Sequence, residues 1–154
     1  MKRLTTILLA VAIALGARCS GAEENRIGTF DRVSIVVAYY RSALWDDTVR
    51  KQHLAQAKAK KANDIEKMRE MTAWEKKSRL WAHEQVEKGA PIKNVLEALK
   101  PAFETIKKDV KVSDVVVAPA ADTKAEAVDV TDKLLEWLKA DDDTRKVIAE
   151  YKKK

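Results

Sequence analysis

The segment PIKNVLEALKPAFETIKKDVKVSDVVV, residues 91–117, carries the strongest structural pattern in the chain. Its apolar residues recur every three or four positions, which predicts a helix with one buried face; they are Ile92, Val95, Leu96, Leu99, Phe103 and Ile106. Pro101 lies inside the pattern and is expected to kink or restart the helix without abolishing it. VSDVVVAP, residues 112–119, then predicts a strand of about four or five residues, too uniformly apolar for an exposed sheet edge.

A low-complexity link follows the predicted strand. In APAADTKAEA, residues 118–127, Thr123 is the only β-branched residue, so the link is expected to pair poorly in a sheet. At most residues 126–130 could form a second strand. The next stretch, AVDVTDKLLEWL, predicts a helix capped by Asp129 or Thr131. The candidates for its buried face are Leu134, Leu135 and Leu138.

A last helix is predicted at about residues 142–152. Asp142 or Asp143 can cap it, since aspartate accepts hydrogen bonds from the free amides of a first turn. The acidic N-terminal end and the lysine-rich C-terminal end also suit the helix dipole. Its apolar residues are Val147, Ile148 and Tyr151.

An antiparallel helical hairpin is predicted upstream, at about residues 42–88. Asn63 and Glu66 form a capping-box pattern, which places the start of the second helix directly after Asn63. Thr72 and Glu75 form a second such pattern, so a later tip stays open as an alternative. The KGAP sequence that follows ends the hairpin, because Gly and Pro commonly come just after a last helical turn.

The first arm of this hairpin is basic. Beyond Leu54 it offers only alanines as apolar residues, so its far end is expected to project from the body. Residues 50–61 carry five basic side chains and no acidic one, which indicates either a solvated face or a binding surface. The candidate binding residues near the tip are Lys58, Lys60 and Lys61.

The second arm carries a stripe of large side chains. Met71, Trp74, Ser78 and Trp81 lie three or four positions apart and therefore share one helix face. The stripe can be the core of the hairpin, or it can be an apolar surface for client chains, for which flexible Met and flat aromatic side chains are suited. On the second interpretation Met71, Trp74 and Trp81 are candidate client-binding residues.

The segment RIGTFDRVSIVVAYY, residues 26–40, is open to two interpretations. Its β-branched and aromatic residues favour one strand from Ile27 to Tyr40. Alternatively, Asp31 caps a helix whose apolar residues have helical spacing: Val33, Val36, Val37 and Tyr40. We predict a short strand at 27–30 followed by that helix. Residues 26–41 and 91–139 then form the body from which the hairpin extends.

The first twenty-two residues predict a signal peptide. Lys2 and Arg3 precede the apolar run LTTILLAVAIALGA, which is too short for a comfortable membrane span. Small residues before position 23 provide a cleavage site, so we expect a single mature domain, residues 23–154, in the periplasm or outside the cell, without a transmembrane segment. Cys19 is the only cysteine, and the bulky Arg18 before it argues against a lipid anchor.

Composition excludes several function classes. Without the leader the formal charge is +3, from 27 basic and 24 acidic residues, and these are interspersed, so nucleic-acid binding is not predicted. His53 and His83 are the only histidines and lie on different arms, too few ligands for a metal site. No catalytic set, cysteine nucleophile or phosphate-binding glycine loop can be assembled, so we predict neither an enzyme nor a cofactor.

The order of these elements resembles the Skp/OmpH-like family of periplasmic proteins. The resemblance covers most of residues 26–139, and its specific parts are IGTFD at 27–31, LKP at 99–101 with DVVV at 114–117, and DVTDKLL at 129–135. It is closer still to uncharacterised secreted bacterial proteins that begin with GTFD and have a short hairpin. It implies an α+β fold, mostly α: an N-terminal strand, a helical hairpin, an amphipathic helix, one or two short strands and C-terminal helices.

The resemblance also implies a function. Family members are holdase chaperones that form homotrimers, with strands in a central body and helical arms around unfolded outer-membrane proteins. This function needs no catalytic residue, because many weak contacts hold the client. The alternative is a structural or adaptor protein of the envelope that docks one folded partner through the hairpin.

Overall fold

The computed structural model describes residues 26–118 and 125–153. These residues form a mostly helical α+β fold with a small parallel sheet, as predicted. The strands are β1 (Arg26–Phe30), β2 (Val115–Val117) and β3 (Glu126–Asp129). The helices are α1 (Arg32–Tyr40), α2 (Ala43–Lys61), α3 (Ile65–Glu87), α4 (Lys93–Val110), α5 (Thr131–Trp137) and α6 (Asp142–Tyr151). The predicted signal peptide, Cys19 and residues 119–124 of the link lie outside the described residues.

The sheet settles one open question and corrects one prediction. The second strand, which the sequence left open at residues 126–130, is present: β3 pairs in parallel with β1, so that Gly28 lies opposite Val115 on one side and Val128 on the other. Favourable pairing with a central strand outweighs the low strand propensity of its sequence. The predictions for the length of β2 and for its position in the sheet were wrong. Strand β2 has three residues and lies at an edge of the sheet, whose strand order is β2-β1-β3. Val115 is nevertheless buried.

Helix α1 is the centre of the body. The carboxylate of Asp31 accepts a hydrogen bond from the backbone N–H of Ser34 at 2.7 Å, which confirms the predicted cap and rules out one continuous strand. Residues 34–39 are all buried, a wider buried surface than the predicted stripe. The reason is that α3, α5 and α6 all contact α1, so hardly any side of it faces solvent.

Helix α4 covers the body as predicted and is continuous through Pro101. Val95 and Leu99 are fully buried, while Leu96 and Phe103 are half-buried against the same core. The ring of Phe103 stacks on Phe30 with 6.0 Å between centroids, joining α4 to β1. Three leucines of the C-terminal part complete this core, as predicted: Leu134, Leu135 and Leu138.

Helices α2 and α3 form the hairpin, with 19 and 23 residues, or ~28 and ~34 Å in length. The predicted cap was one residue early: Asp64, not Asn63, accepts a hydrogen bond from the backbone N–H of Lys67. Asn63 has φ 53°, the left-handed conformation that ends α2, so the extended backbone that a cap needs falls on Asp64. Helix α3 is continuous past Thr72, so the later tip was wrong.

Helix α6 packs on the outside of α1. Its cap is Asp141, which accepts from the backbone N–H of Thr144 at 2.8 Å, so the predicted caps Asp142 and Asp143 were each too late. These two aspartates lie instead in the first turn, because the bend after α5 leaves Asp141 as the last extended residue. Ile148 is buried, and Val147 and Tyr151 pack at the edge of the core.

Candidate functional site

Five aromatic side chains gather where the hairpin meets the body. Trp45 of α2 stacks on Trp74 of α3 with 6.0 Å between ring centroids, and Trp81 lies 6.4 Å from Trp45 and 6.3 Å from Trp74. Tyr39 and Tyr40, at the end of α1, contact Trp45 edge-on at 5.7 and 4.8 Å. Such pairs stabilise beyond the area that they bury, so this aromatic cluster fixes the two arms against each other.

A hydrogen-bond network lies beside the aromatic cluster and fastens the hairpin to α4. The hydroxyl of Tyr40 donates to Oε1 of Gln85 at 2.9 Å and accepts from Nδ2 of Asn94 at 2.9 Å. Burial raises the pKa of Tyr40 to about 12, so the hydroxyl stays protonated at neutral pH. The guanidinium of Arg32 also donates to the backbone carbonyls of Gln85 and Ala90. The base of the hairpin is therefore preorganised.

An open groove runs along one face of the hairpin, between the facing sides of α2 and α3. We call it the hairpin groove. Its main part has a volume of about 360 Å³, and its lining includes Tyr40, Trp45, Val49, His53, Trp74 and Ala82. Towards the tip it narrows to a space of only about 10 Å³ beside Gln56 and Met71, with His53 and Trp74 lining both parts. The lining of the hairpin groove thus combines aromatic and aliphatic side chains with polar ones, His53, Glu75, Ser78 and Arg79, and it is open to solvent.

The predicted stripe on α3 divides between core and groove. Trp74 and Met71 are half-buried and line the hairpin groove, and Ser78 is buried between the arms. Trp81 is half-buried behind them in the aromatic cluster, with the ammonium of Lys77 5.8 Å from its ring centroid. The stripe therefore serves as hairpin core, and part of its surface also faces the groove.

The three predicted lysines lie elsewhere. Lys58, Lys60 and Lys61 are exposed in the last turn of α2, and Lys60 comes fifteen residues after Trp45, or ~22 Å along the helix. The structure does not bring them together with the tryptophans. They belong to the distal half of the hairpin, residues 50–69, which has seven basic and two acidic residues.

The distal half also exposes apolar side chains. Leu54 is 58% exposed and Ile65 is 55% exposed, on either side of the turn. The first arm does project beyond the body, as its alanine-rich sequence indicated, and Ala59 is the only residue of α2 that is buried. The hairpin thus combines an apolar groove near its base with a basic, partly apolar tip.

The sequence did not predict that Tyr40 and Gln85 belong to this site. Tyr40 belongs to α1 and Gln85 ends the stripe of α3, and only the packing of α1 on α3 brings them to one place. The one available signal in the sequence was Trp45, which shares one face of α2 with Val49. A helix face can be derived from spacing, whereas contacts between helices cannot.

Other kinds of site are not found in the described ranges. No group of three or more His, Cys, Asp or Glu side chains could hold a metal ion there. His53 lines the hairpin groove, while Nδ1 of His83 lies 3.3 Å from the carboxylate of Glu87. Of the helices in residues 26–118 and 125–153, none has the length and apolarity to cross a membrane.

Comparison of the chain with family models, curated proteins and solved structures gave no match. The resemblance to Skp/OmpH-like proteins therefore stays a prediction. The function has to be argued from the geometry of the hairpin.

Proposed function

We propose that the protein is a non-catalytic, periplasmic holdase-type chaperone that binds unfolded envelope and outer-membrane proteins. The observation that carries the proposal is the hairpin groove, which exposes Trp45, Trp74 and Val49 beside polar side chains on a projecting arm. Exposed aromatic side chains in a groove suit binding of apolar side chains. An unfolded chain offers the apolar side chains that can fill it.

The groove and the tip would act at different stages of binding. The excess of basic residues in the distal half attracts acidic segments over a distance of about a Debye length, roughly 8–10 Å in physiological salt. Short-range contacts with Trp45 and Trp74 then hold apolar side chains, each weakly, so that a client can be released without a catalytic step.

A homo-oligomer, a trimer by resemblance, is part of this proposal. Strands β2 and β3 lie at the two edges of the described sheet, and an edge strand can pair with another chain. Several copies would place several hairpins around one client, which compensates for arms of only ~28–34 Å. Light scattering of the mature protein measures the copy number directly.

The decisive experiment is suppression of aggregation of an unfolded outer-membrane protein by residues 23–154 at a few-fold molar excess. We expect Trp74→Ala to weaken suppression at least about threefold, because a half-buried aromatic contact contributes roughly 1 kcal/mol. Trp137→Ala is the matched control, since Trp137 is 37% exposed on α5 and does not line the groove. Failure of the wild-type protein to suppress aggregation would contradict the proposal.

The second candidate is an adaptor that docks one folded envelope protein. The observation that favours it is the rigid base of the hairpin, where aromatic and hydrogen-bonded contacts fix a single groove shape. A preformed groove suits one complementary helix. Pull-down from an envelope extract distinguishes the two: one stoichiometric partner supports the adaptor, and a broad set of clients that is lost in Trp74→Ala supports the chaperone.

A further inference from the structure

A second pocket lies at the base of the hairpin, between α1, α3 and α6. We call it the basal pocket; its volume is about 330 Å³. Its apolar lining comes from all three helices and includes Val37, Val86, Val147 and Tyr151. This volume is at the lower end of the range for ligand pockets, which suits one large side chain and the backbone attached to it.

The polar lining of the basal pocket is basic. Arg41, Arg79 and His83 line it, and no acidic residue does. Each has a partner outside the lining: Arg79 pairs with Glu75 at 2.5 Å, His83 lies near Glu87, and Nε of Arg41 donates to the hydroxyl of Thr144 at 3.1 Å. Arg41 also has an acidic neighbour, since hydrogen bonds from Thr144 and then the charge of Arg41 lower the pKa of Asp141. The pair of Arg79 and Glu75 is solvent-exposed and contributes little, so an incoming anion can compete with Glu75 at small cost.

The basal pocket adjoins the hairpin groove, since Tyr40, Arg79 and Ala82 line both. An extended chain in the groove would have to pass Arg79, whose side chain is exposed, to reach the basal pocket. An apolar lining beside basic groups selects an apolar group with an anion directly attached to it. In an unfolded polypeptide only the last residue has this chemistry, because its α-carboxylate, with a pKa of about 3.3–3.7, is ionised at neutral pH.

We propose that the basal pocket binds the C-terminal residue of a client: its apolar side chain enters between Val37, Val86 and Val147, and its free carboxylate pairs with Arg41 and Arg79. The inference rests on the proposed client binding in the hairpin groove. It adds a direction, because the client chain would lie with its C-terminus at the body and the preceding residues towards the tip. Carboxylates accept strong, charge-assisted hydrogen bonds from guanidinium groups.

The test uses two fluorescent ten-residue peptides of one sequence that ends in phenylalanine, one with a free C-terminal carboxylate and one with a C-terminal amide. Binding to residues 23–154 is measured by fluorescence anisotropy. We expect the amide to bind about two- to fivefold more weakly, because Arg41 and Arg79 are exposed and an exposed ion pair contributes little. In the variant with Arg41→Gln and Arg79→Gln, the two peptides should bind equally.

The control variant is Arg145→Gln, since Arg145 lies on α6 but pairs with Asp132 and does not line the basal pocket. It should keep the preference for the carboxylate. Equal binding of both peptides to the wild-type protein overturns the inference but leaves the hairpin groove as a client site. Absence of binding by either peptide contradicts the proposed function as well. If the wild-type protein binds both peptides equally and dodecanoate displaces both to the same extent, the pocket is assigned to lipid carboxylates instead.

Discussion

The side chain of Gln85 connects three segments of the chain, so its replacement tests what holds the hairpin to the body. It is 3% exposed. Its Nε2 donates to the carbonyl of Pro91 at 2.8 Å and to Oδ1 of Asn94 at 2.6 Å, and its Oε1 accepts from Tyr40. Gln85→Leu keeps the approximate volume and removes all three bonds.

The expected loss of stability follows from the number of bonds. A typical buried hydrogen bond contributes about 0.5–1.5 kcal/mol net, so three of them contribute about 1.5–4.5 kcal/mol. Tyr40 and Asn94 remain bonded to each other, which limits the loss, while the carbonyl of Pro91 loses a partner, which increases it. We therefore expect the free energy of unfolding to fall by about 3 kcal/mol, a large part of the usual 5–15 kcal/mol.

Urea unfolding of residues 23–154, followed by tryptophan fluorescence and by far-UV circular dichroism, measures this change. With a slope of about 1–3 kcal/mol per molar urea, the midpoint should fall by about 1–3 M. Gln56→Leu is the control, since Gln56 is half-buried on the same hairpin and lies in the groove far from Asn94. A loss below about 0.5 kcal/mol in Gln85→Leu, or an equal loss in the control, would refute the claim that the network fastens the hairpin.

Three further predictions concern single residues of the body. Partial burial raises the pKa of Asp31, but hydrogen bonds from Ser34 and the charge of Lys152 outweigh it and hold the net pKa below 3.8. In thermal unfolding, Asp31→Ala should lower the free energy of unfolding by about 1 kcal/mol at pH 7. This loss should become smaller as the pH falls below about 4 and the carboxylate is protonated. A constant difference from pH 7 to pH 2 would argue against this role. Burial raises the pKa of Tyr40 to about 12, so stability should decline between pH 10 and 12, where the unfolded chain releases a proton that the folded protein keeps. Tyr40→Phe should flatten that decline in urea titrations. An unchanged decline in this variant would contradict the role of Tyr40. Gly28→Ala should destabilise by about 1–3 kcal/mol in urea, because its added Cβ would lie 3.2 Å from a valine methyl group of β2; a neutral result would mean that β2 shifts freely.

Periodic patterns were the reliable part of the sequence. The stripe of α4 and the leucines of α5 each face one core, so their spacing alone located them. Caps were less certain, because neighbouring Asx residues compete and the backbone conformation decides between them, as Asn63 and Asp64 show. Strand β3 was hard to predict since its pairing with β1 is remote in sequence.

The candidate site was also predictable only where its residues share one helix face. Met71, Trp74 and Trp81 share a face of α3, and spacing identified them. Arg41 and Tyr40 could not be assigned to the same surface, because they reach it from α1 through packing that no local pattern encodes.

In sequence the hairpin lies between β1 and β2, which are neighbours in the sheet. The length of the hairpin can therefore change without a change in the stability of the body. The ends of the hairpin, near Ala43 and Glu87, are joined to the body by the aromatic cluster and by the bonds of Gln85, while α2 makes most of its contacts with its partner arm α3. Adding seven residues to each arm would lengthen the hairpin by ~10 Å and would leave every contact of the core in place. Arm length is thus a modular property, one that can vary with the size of the partner without refolding the body.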